Sequence, residues 1–144
     1  MTKWAKSLIR LSTYEVETLQ KRLAEVVTRR THFEMKIATL DAEYELECTR
    51  AAADAAIAHM MSSYKHGFKL RRDTAVGELD VIVAEEDGIR DQLSLAFEEL
   101  KKFEHVAEVT QLKRIAAQKR VEDAALDEAA LRITANNAKA QRRA

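Results

Sequence analysis

From Ile9 onward, apolar side chains recur at alternating intervals of three and four: Ile9, Ser12, Val16, Leu19, Leu23, Val26, Arg30, Phe33, Ile37, Leu40 and Tyr44. Nine of these eleven positions are apolar, and a 3.5-residue repeat sustained this long confines them to one narrow helical seam, the pattern of a coiled coil. A second array becomes regular at Leu79 and continues through Ile82, Glu86, Ile89, Leu93, Ala96, Leu100, Phe103 and Ala107. Charged residues such as Glu85, Asp87, Arg90, Glu98 and Lys101 occupy the flanks. Gly77 and Gly88 each cost roughly 1 kcal/mol against alanine, which seam packing carries, so the second array reads as one helix.

Between the arrays the rhythm fades. Ala51 to Ala58 is alanine-rich and keeps the helix while thinning its grip on a partner, and His59-Met60-Met61-Ser62-Ser63-Tyr64-Lys65-His66-Gly67 loses the repeat. Ser62 and Ser63 are adjacent hydroxyl residues able to cap a new helix, Gly67 follows, and the chain has no proline. The pattern predicts an all-α fold of two long helices in an antiparallel coiled-coil hairpin, with its hinge near Ser62-Ser63. As one domain over 1–144, it places helix 1 at about 5–58, the hinge at about 59–63, helix 2 at about 64–138, and a frayed basic tail after that.

In an antiparallel pair the seam positions of one arm face those of the other in reverse order. Tyr44 then faces Ile82, Leu40 faces Glu86, Phe33 faces Leu93, Arg30 faces Ala96 and Leu19 faces Ala107, which centres the hairpin on Ser63. A longer register centred near Gly67 sets Glu47 against Glu86 and is disfavoured. Helix 2 overshoots the start of helix 1 by roughly two to five turns. Its frayed pattern of Leu112, Ile115, Val121, Ala124, Leu126, Leu131 and Ile133 therefore has no partner within the chain.

Composition agrees with long helices: 33% charged residues, 6% aromatic, three glycines and no proline. Lys plus Arg balance Asp plus Glu at 24 each, so no global basic field argues for nucleic acid. Charge is uneven locally, with eight bases against four acids from Val109 to the end. The lone Cys48 forms no internal disulfide and has no metal-ligand spacing around it. With neither a membrane-length apolar run nor a leader segment in view, a cytoplasmic protein is expected.

Catalytic chemistry is not in evidence: the sequence has no phosphate-binding glycine loop, no Gly-x-Ser-x-Gly, no His-Glu-x-x-His and no Glu-x-x-His. Neither an enzyme nor a cofactor or metal is expected. His59 and His66 read as surface residues, Met35, Met60 and Met61 as packing or hinge contacts, and Trp4 as lying outside any core. Tyr64 and Phe68, one turn apart beside the hinge, either pack on Tyr44 or stand exposed as an anchor for another protein.

Three stretches carry a resemblance to a known family. Lys6-Ser7-Leu8-Ile9-Arg10-Leu11 precedes Tyr14-Glu15-Val16-Glu17 and Leu19-Gln20-Lys21-Arg22-Leu23-Ala24; Tyr64 is followed by Arg71-Arg72-Asp73; and Ala96-Phe97-Glu98-Glu99-Leu100-Lys101-Lys102-Phe103-Glu104 lies in helix 2. In order and spacing these segments resemble the flagellar type III export protein FliJ family in its alphaproteobacterial form. Relatives often carry proline at the hinge, where this chain has Ser62 and Ser63.

The resemblance implies a non-enzymatic component of the flagellar export apparatus, similar to the central stalk of rotary ATPases. Its terminal end enters the hexameric export ATPase, its opposite end touches the export gate, and it escorts export chaperones. It then sits in the cytoplasm at the flagellar base, reaching the membrane only through protein contacts. By position, the ATPase contacts fall at Lys6, Arg10, Arg114, Arg120 and Arg132, and the gate contacts at Tyr44, Tyr64 and Phe68. The competing reading is a generic coiled-coil scaffold or oligomerising adaptor, in which chains associate and the hinge contacts nothing.

Overall fold

The computed structural model describes residues 2–144, and among them every regular element is helical: α1 spans Lys3–Ala53 and α2 spans Ala55–Arg143. No described residue has a positive φ. With many strong helix formers and no proline, each helix runs unbroken on its side of Asp54. The two arms form an antiparallel helical hairpin. Two compact units divide the chain, one of Thr13–Glu98 and one that joins the first residues, up to Ser12, with Glu99–Ala144.

In the Thr13–Glu98 unit the arms run in opposite directions. Arg30 meets Glu86, Asp41 meets Arg72 and Tyr44 meets Phe68, so the second number falls as the first rises. Val16, Leu19, Val26 and Leu40 of α1 are buried, as are Ala75, Ile82, Ile89 and Ala96 of α2. Seven of these eight belong to the two expected seams. Ala75 shows that the second seam reaches further back than its large side chains reveal. At the centre, Val26, Ile82 and Ile89 form a cluster with Leu23 and Phe33 packed against it. Burial at about 25 cal/mol per Å² makes this apolar cluster the main adhesive of the unit.

The corner differs from the expected hinge. Helix α1 ends at Ala53 rather than near 58, Asp54 alone interrupts the chain, and α2 begins at Ala55, so 59–63 lies inside a helix. Asp54 donates its backbone N–H to Arg50 O at 3.1 Å and accepts from Ala58 N at 3.0 Å. Its Oδ1 accepts the Ala56 N–H at 2.9 Å, which caps α2. Small alanines flank it on both sides, so the corner carries little side-chain bulk, and a capping carboxylate there outcompetes the hydroxyls of Ser62 and Ser63. Both serines are exposed within α2.

The register changes with the corner. Arg30 pairs with Glu86 instead of facing Ala96, a shift of about ten residues, or roughly three turns. The physical reason is charge. Arg30 and Glu86 are the two charged interruptions of the two seams, and the expected register left Glu86 against Leu40. A buried carboxylate facing an apolar side chain costs several kcal/mol, whereas a polar pair at seam positions specifies alignment.

In the other unit, Ala5 and Ser12 of α1 are buried, as is Ala107 of α2. Thr2, Trp4, Ala5 and Leu8 line one apolar cleft with Phe103, Val106, Ala107 and Arg114. Trp4 lines that cleft yet stays 57% exposed, outside the core as expected. From Gln111 to the C-terminus every residue is exposed, and the helix continues to Arg143 rather than fraying near 138.

Candidate functional site

Three polar or aromatic constellations stand out in the Thr13–Glu98 unit. The first is built on Glu86, whose side chain is 3% exposed. Its Oε2 accepts from Arg30 Nη1, and its Oε1 accepts from Arg90 Nη2 at 2.9 Å, one turn along α2. The Arg90 hydrogen bond is the largest influence on this carboxyl and, with the charge and hydrogen bond of Arg30, holds it below its ordinary value despite desolvation. Flanking it, Arg29 reaches Glu85 at 2.9 Å in a pair exposed on both sides. An exposed pair of that kind adds about 0–1 kcal/mol, so the alignment rests on Glu86.

The second constellation is a fork. Arg72 donates Nε to Asp41 Oδ1 at 2.8 Å and Nη2 to Oδ2 at 3.4 Å, the two-bond geometry for which a planar guanidinium is shaped. Its pKa is raised, first by that hydrogen bond and then by the attraction of Asp41.

The third is aromatic. Tyr44 stacks on Phe68 with ring centroids 4.4 Å apart and 14° between planes, and on Tyr64 at 6.2 Å and 4°. All three are half-buried. The structure therefore brings together the three residues that the sequence assigned to one end, about three turns from Asp54 for Tyr44 and Tyr64 and about four for Phe68. Of the two arrangements open in the sequence, packing on Tyr44 is the one adopted, and the rings keep partial access to solvent.

The five basic residues assigned to the other end all belong to the terminal unit, and all are exposed, with Arg114 and Arg132 about five turns apart. Arg114 lines the apolar cleft beside Trp4 and Leu8. Arg132 bonds Glu128 at 2.9 Å one turn back, which leaves its guanidinium partly committed. Lys6 and Arg10 stand one turn apart on α1.

Other single residues fall as follows. His59 and His66 are exposed, Met61 is half-buried, and Met35 and Met60 are 65% and 72% exposed, so those two methionines pack on nothing extensive. Cys48 is a free, half-buried thiol. Among the described residues no cluster of three or more His, Cys, Asp or Glu has metal-holding geometry. No described helix is long and apolar enough to cross a membrane.

The Arg30–Glu86 pair and the Asp41–Arg72 fork were missed as pairs in the sequence. A signal for the first existed: one cation interrupts one seam and one anion interrupts the other. Asp41 and Arg72 lie beside the seam, so their meeting becomes visible only once the register is known.

Comparison with known proteins gives a consistent result. The model of the family described as "Flagellar FliJ protein" matches residues 6–139. Two curated proteins, both named flagellar FliJ protein and from two strains of Caulobacter vibrioides, are each 50% identical over 137 residues, covering 94% of this chain and 97% of theirs. No solved structure matches the chain. A family match over nearly the whole length, on a helical hairpin with the expected seams, shows that this chain belongs to the flagellar FliJ protein family.

Proposed function

We propose that this protein is a non-enzymatic, central-stalk-like component of the flagellar export apparatus that links the export ATPase ring to the export gate and assists in escorting chaperones. The carrying observation is membership of the flagellar FliJ family over residues 6–139. In this reading the terminal unit enters the cytoplasmic ATPase ring through Lys6, Arg10, Arg114, Arg120 and Arg132, which are exposed and cationic. The gate is met by the stack of Tyr44, Tyr64 and Phe68, whose half-buried rings offer rigid apolar surface at little entropic cost.

The mechanism needs no chemistry in the stalk itself. A protein that binds the assembled ring better than the free subunit favours assembly by that difference in affinity, and ATP hydrolysis follows from the greater population of rings. Stimulation is then largest at low ATPase concentration and fades once rings are already formed. Salt weakens it, because exposed cationic contacts are screened.

The test is an ATPase assay with purified export ATPase across a concentration series, with the full chain and with a chain lacking residues 127–144. Reduced stimulation by the shortened chain at unchanged helicity of the remainder supports the reading. Stimulation unaffected by the truncation and independent of ATPase concentration overturns it.

A further inference from the structure

Of the six large aliphatic side chains exposed beyond Gln111, four fall on one heptad stripe, while Val121 and Leu131 lie off it. Leu112, Ile115, Leu126 and Ile133 are 58%, 53%, 68% and 61% exposed. With Lys119, Glu122 and Ala129 they step by three and four along the chain, the same rhythm as the seams that are buried elsewhere in the molecule. On a helix these seven share one face. Three arginines of this stretch lie off that face: Arg114 and Arg132, five turns apart, share another, and Arg120 points a third way.

We propose that this face pairs with the same face of a second copy of the chain, in antiparallel orientation. Lys119 and Glu122, the two charged members of the stripe, decide the partner and its direction. In a parallel pair Lys119 meets Lys119 and Glu122 meets Glu122, and both layers repel. In an antiparallel pair one alignment sets Lys119 against Glu122 of the second copy and, by the two-fold axis, Glu122 against its Lys119. That alignment also sets Ile115 against Leu126 and Leu112 against Ala129, each twice, so four apolar layers are matched, while Ile133 falls opposite the exposed Glu108 at the edge of the pairing.

The molecule already uses this device within one chain, where Arg30 and Glu86 meet across the seam. In the single chain Glu122 accepts a bond from the exposed Gln118, at 3.2 Å. About five turns of helix, from Leu112 to Ala129, are engaged and two layers are polar, so the association is weak and depends on concentration. The inference stands on the exposed face alone and does not depend on the export reading.

Sedimentation equilibrium of the full chain over a concentration series tests it. The wild-type mass should rise from one chain toward two. Lys119→Glu and Glu122→Lys should each weaken association by about tenfold or more, because each sets like charges in facing layers. An equimolar mixture of the two single variants should recover it, since every facing pair in the mixed dimer is again Lys with Glu or its equal in sign balance. Circular dichroism checks that helicity is kept, as expected when one good helix former replaces another. The proposal is overturned if the wild type keeps the mass of one chain throughout, or if the single variants associate as well as the wild type and their mixture gains nothing.

Discussion

Two stretches of α2 carry heptads of similar apolar character and meet opposite fates. Between Ala75 and Ala96 the seam is closed, with Ala75 at 1% exposure and Ile89 at 3%, whereas beyond Arg114 Leu126 stands at 68% and Ile133 at 61%. Both stretches are helical. Helix formation therefore follows from composition, while burial depends on whether a second helix lies opposite. The polar members of the two stripes differ in the same way. Glu86 is held by Arg30 and Arg90 out of water, while Lys119 and Glu122 remain exposed.

The hardest way to break that contrast is at Glu86. Glu86→Arg places a third guanidinium between Arg30 and Arg90 at a closed seam position, and the closed stretch should lose its cooperative unfolding transition, followed by circular dichroism in urea. Adding Arg30→Glu should restore much of the transition, because the pair is re-formed with its signs exchanged. A Glu86→Arg variant that unfolds like the wild type would show that the alignment is held by apolar packing alone. A cross-link makes the register visible directly. In a Cys48→Ser background, cysteines at Phe33 and Ile82 should join within one chain, and cysteines at Phe33 and Leu93 should not.

A smaller effect is expected from Ile89→Ala, which removes a side chain from the cluster with Val26 and Ile82. Large-to-small changes at closed core sites cost about 2–5 kcal/mol, and a seam only two helices thick relaxes more easily than a globular core. Chemical unfolding should show a loss of about 2–4 kcal/mol. A loss below about 0.5 kcal/mol, the range of ordinary surface changes, would mean that the seam is not a cooperative core.

How much of this was legible in the sequence follows from what each feature depends on. The seam positions were readable because burial in a two-stranded coil follows the three-four rhythm directly, and Val16, Leu19, Val26, Ile82, Ile89 and Ala96 all obey it. The corner was not. Serine and glycine are strong punctuation, but Asp54 hides among alanines, which signal only helix, and its capping bond to Ala56 needs no glycine. Register depends on the corner and on the charged seam residues together. Weighting apolar matches alone left Glu86 against Leu40 and hid the match with Arg30. The meeting of Tyr44, Tyr64 and Phe68 was half legible: their closeness to the corner could be read, their stacking could not. Exposure of the basic residues was readable from their positions, while what they touch is not written in helix geometry.

Acid offers a gentler probe of the closed stretch. The Glu86 carboxyl titrates below its ordinary 4.5, so it adds stability at any pH above that value and loses it as pH falls through the lowered one. Glu86→Gln keeps the shape and removes the charge. The difference in stability between wild type and this variant should be steady from neutrality down to about pH 5 and then shrink toward zero as Glu86 protonates. A difference that persists undiminished at about pH 2 would mean that the carboxylate charge is not what Arg30 and Arg90 recognise.

The smallest effect is expected where the stripe is open, and it is the one that completes the comparison. Leu126→Ala removes as many carbons as a costly core truncation does, but from a side chain already 68% exposed. At low protein concentration its effect on unfolding should stay within about 0.5 kcal/mol, with a slight gain in helicity because alanine is the better helix former. As concentration rises, the wild type should gain stability through self-association, since anything that binds only the folded state stabilises it by mass action. The variant should gain less, so the two curves should part only at high concentration. Curves that already differ by more than about 1 kcal/mol in dilute solution would show that Leu126 is covered by its own chain, and that the open stripe is not open.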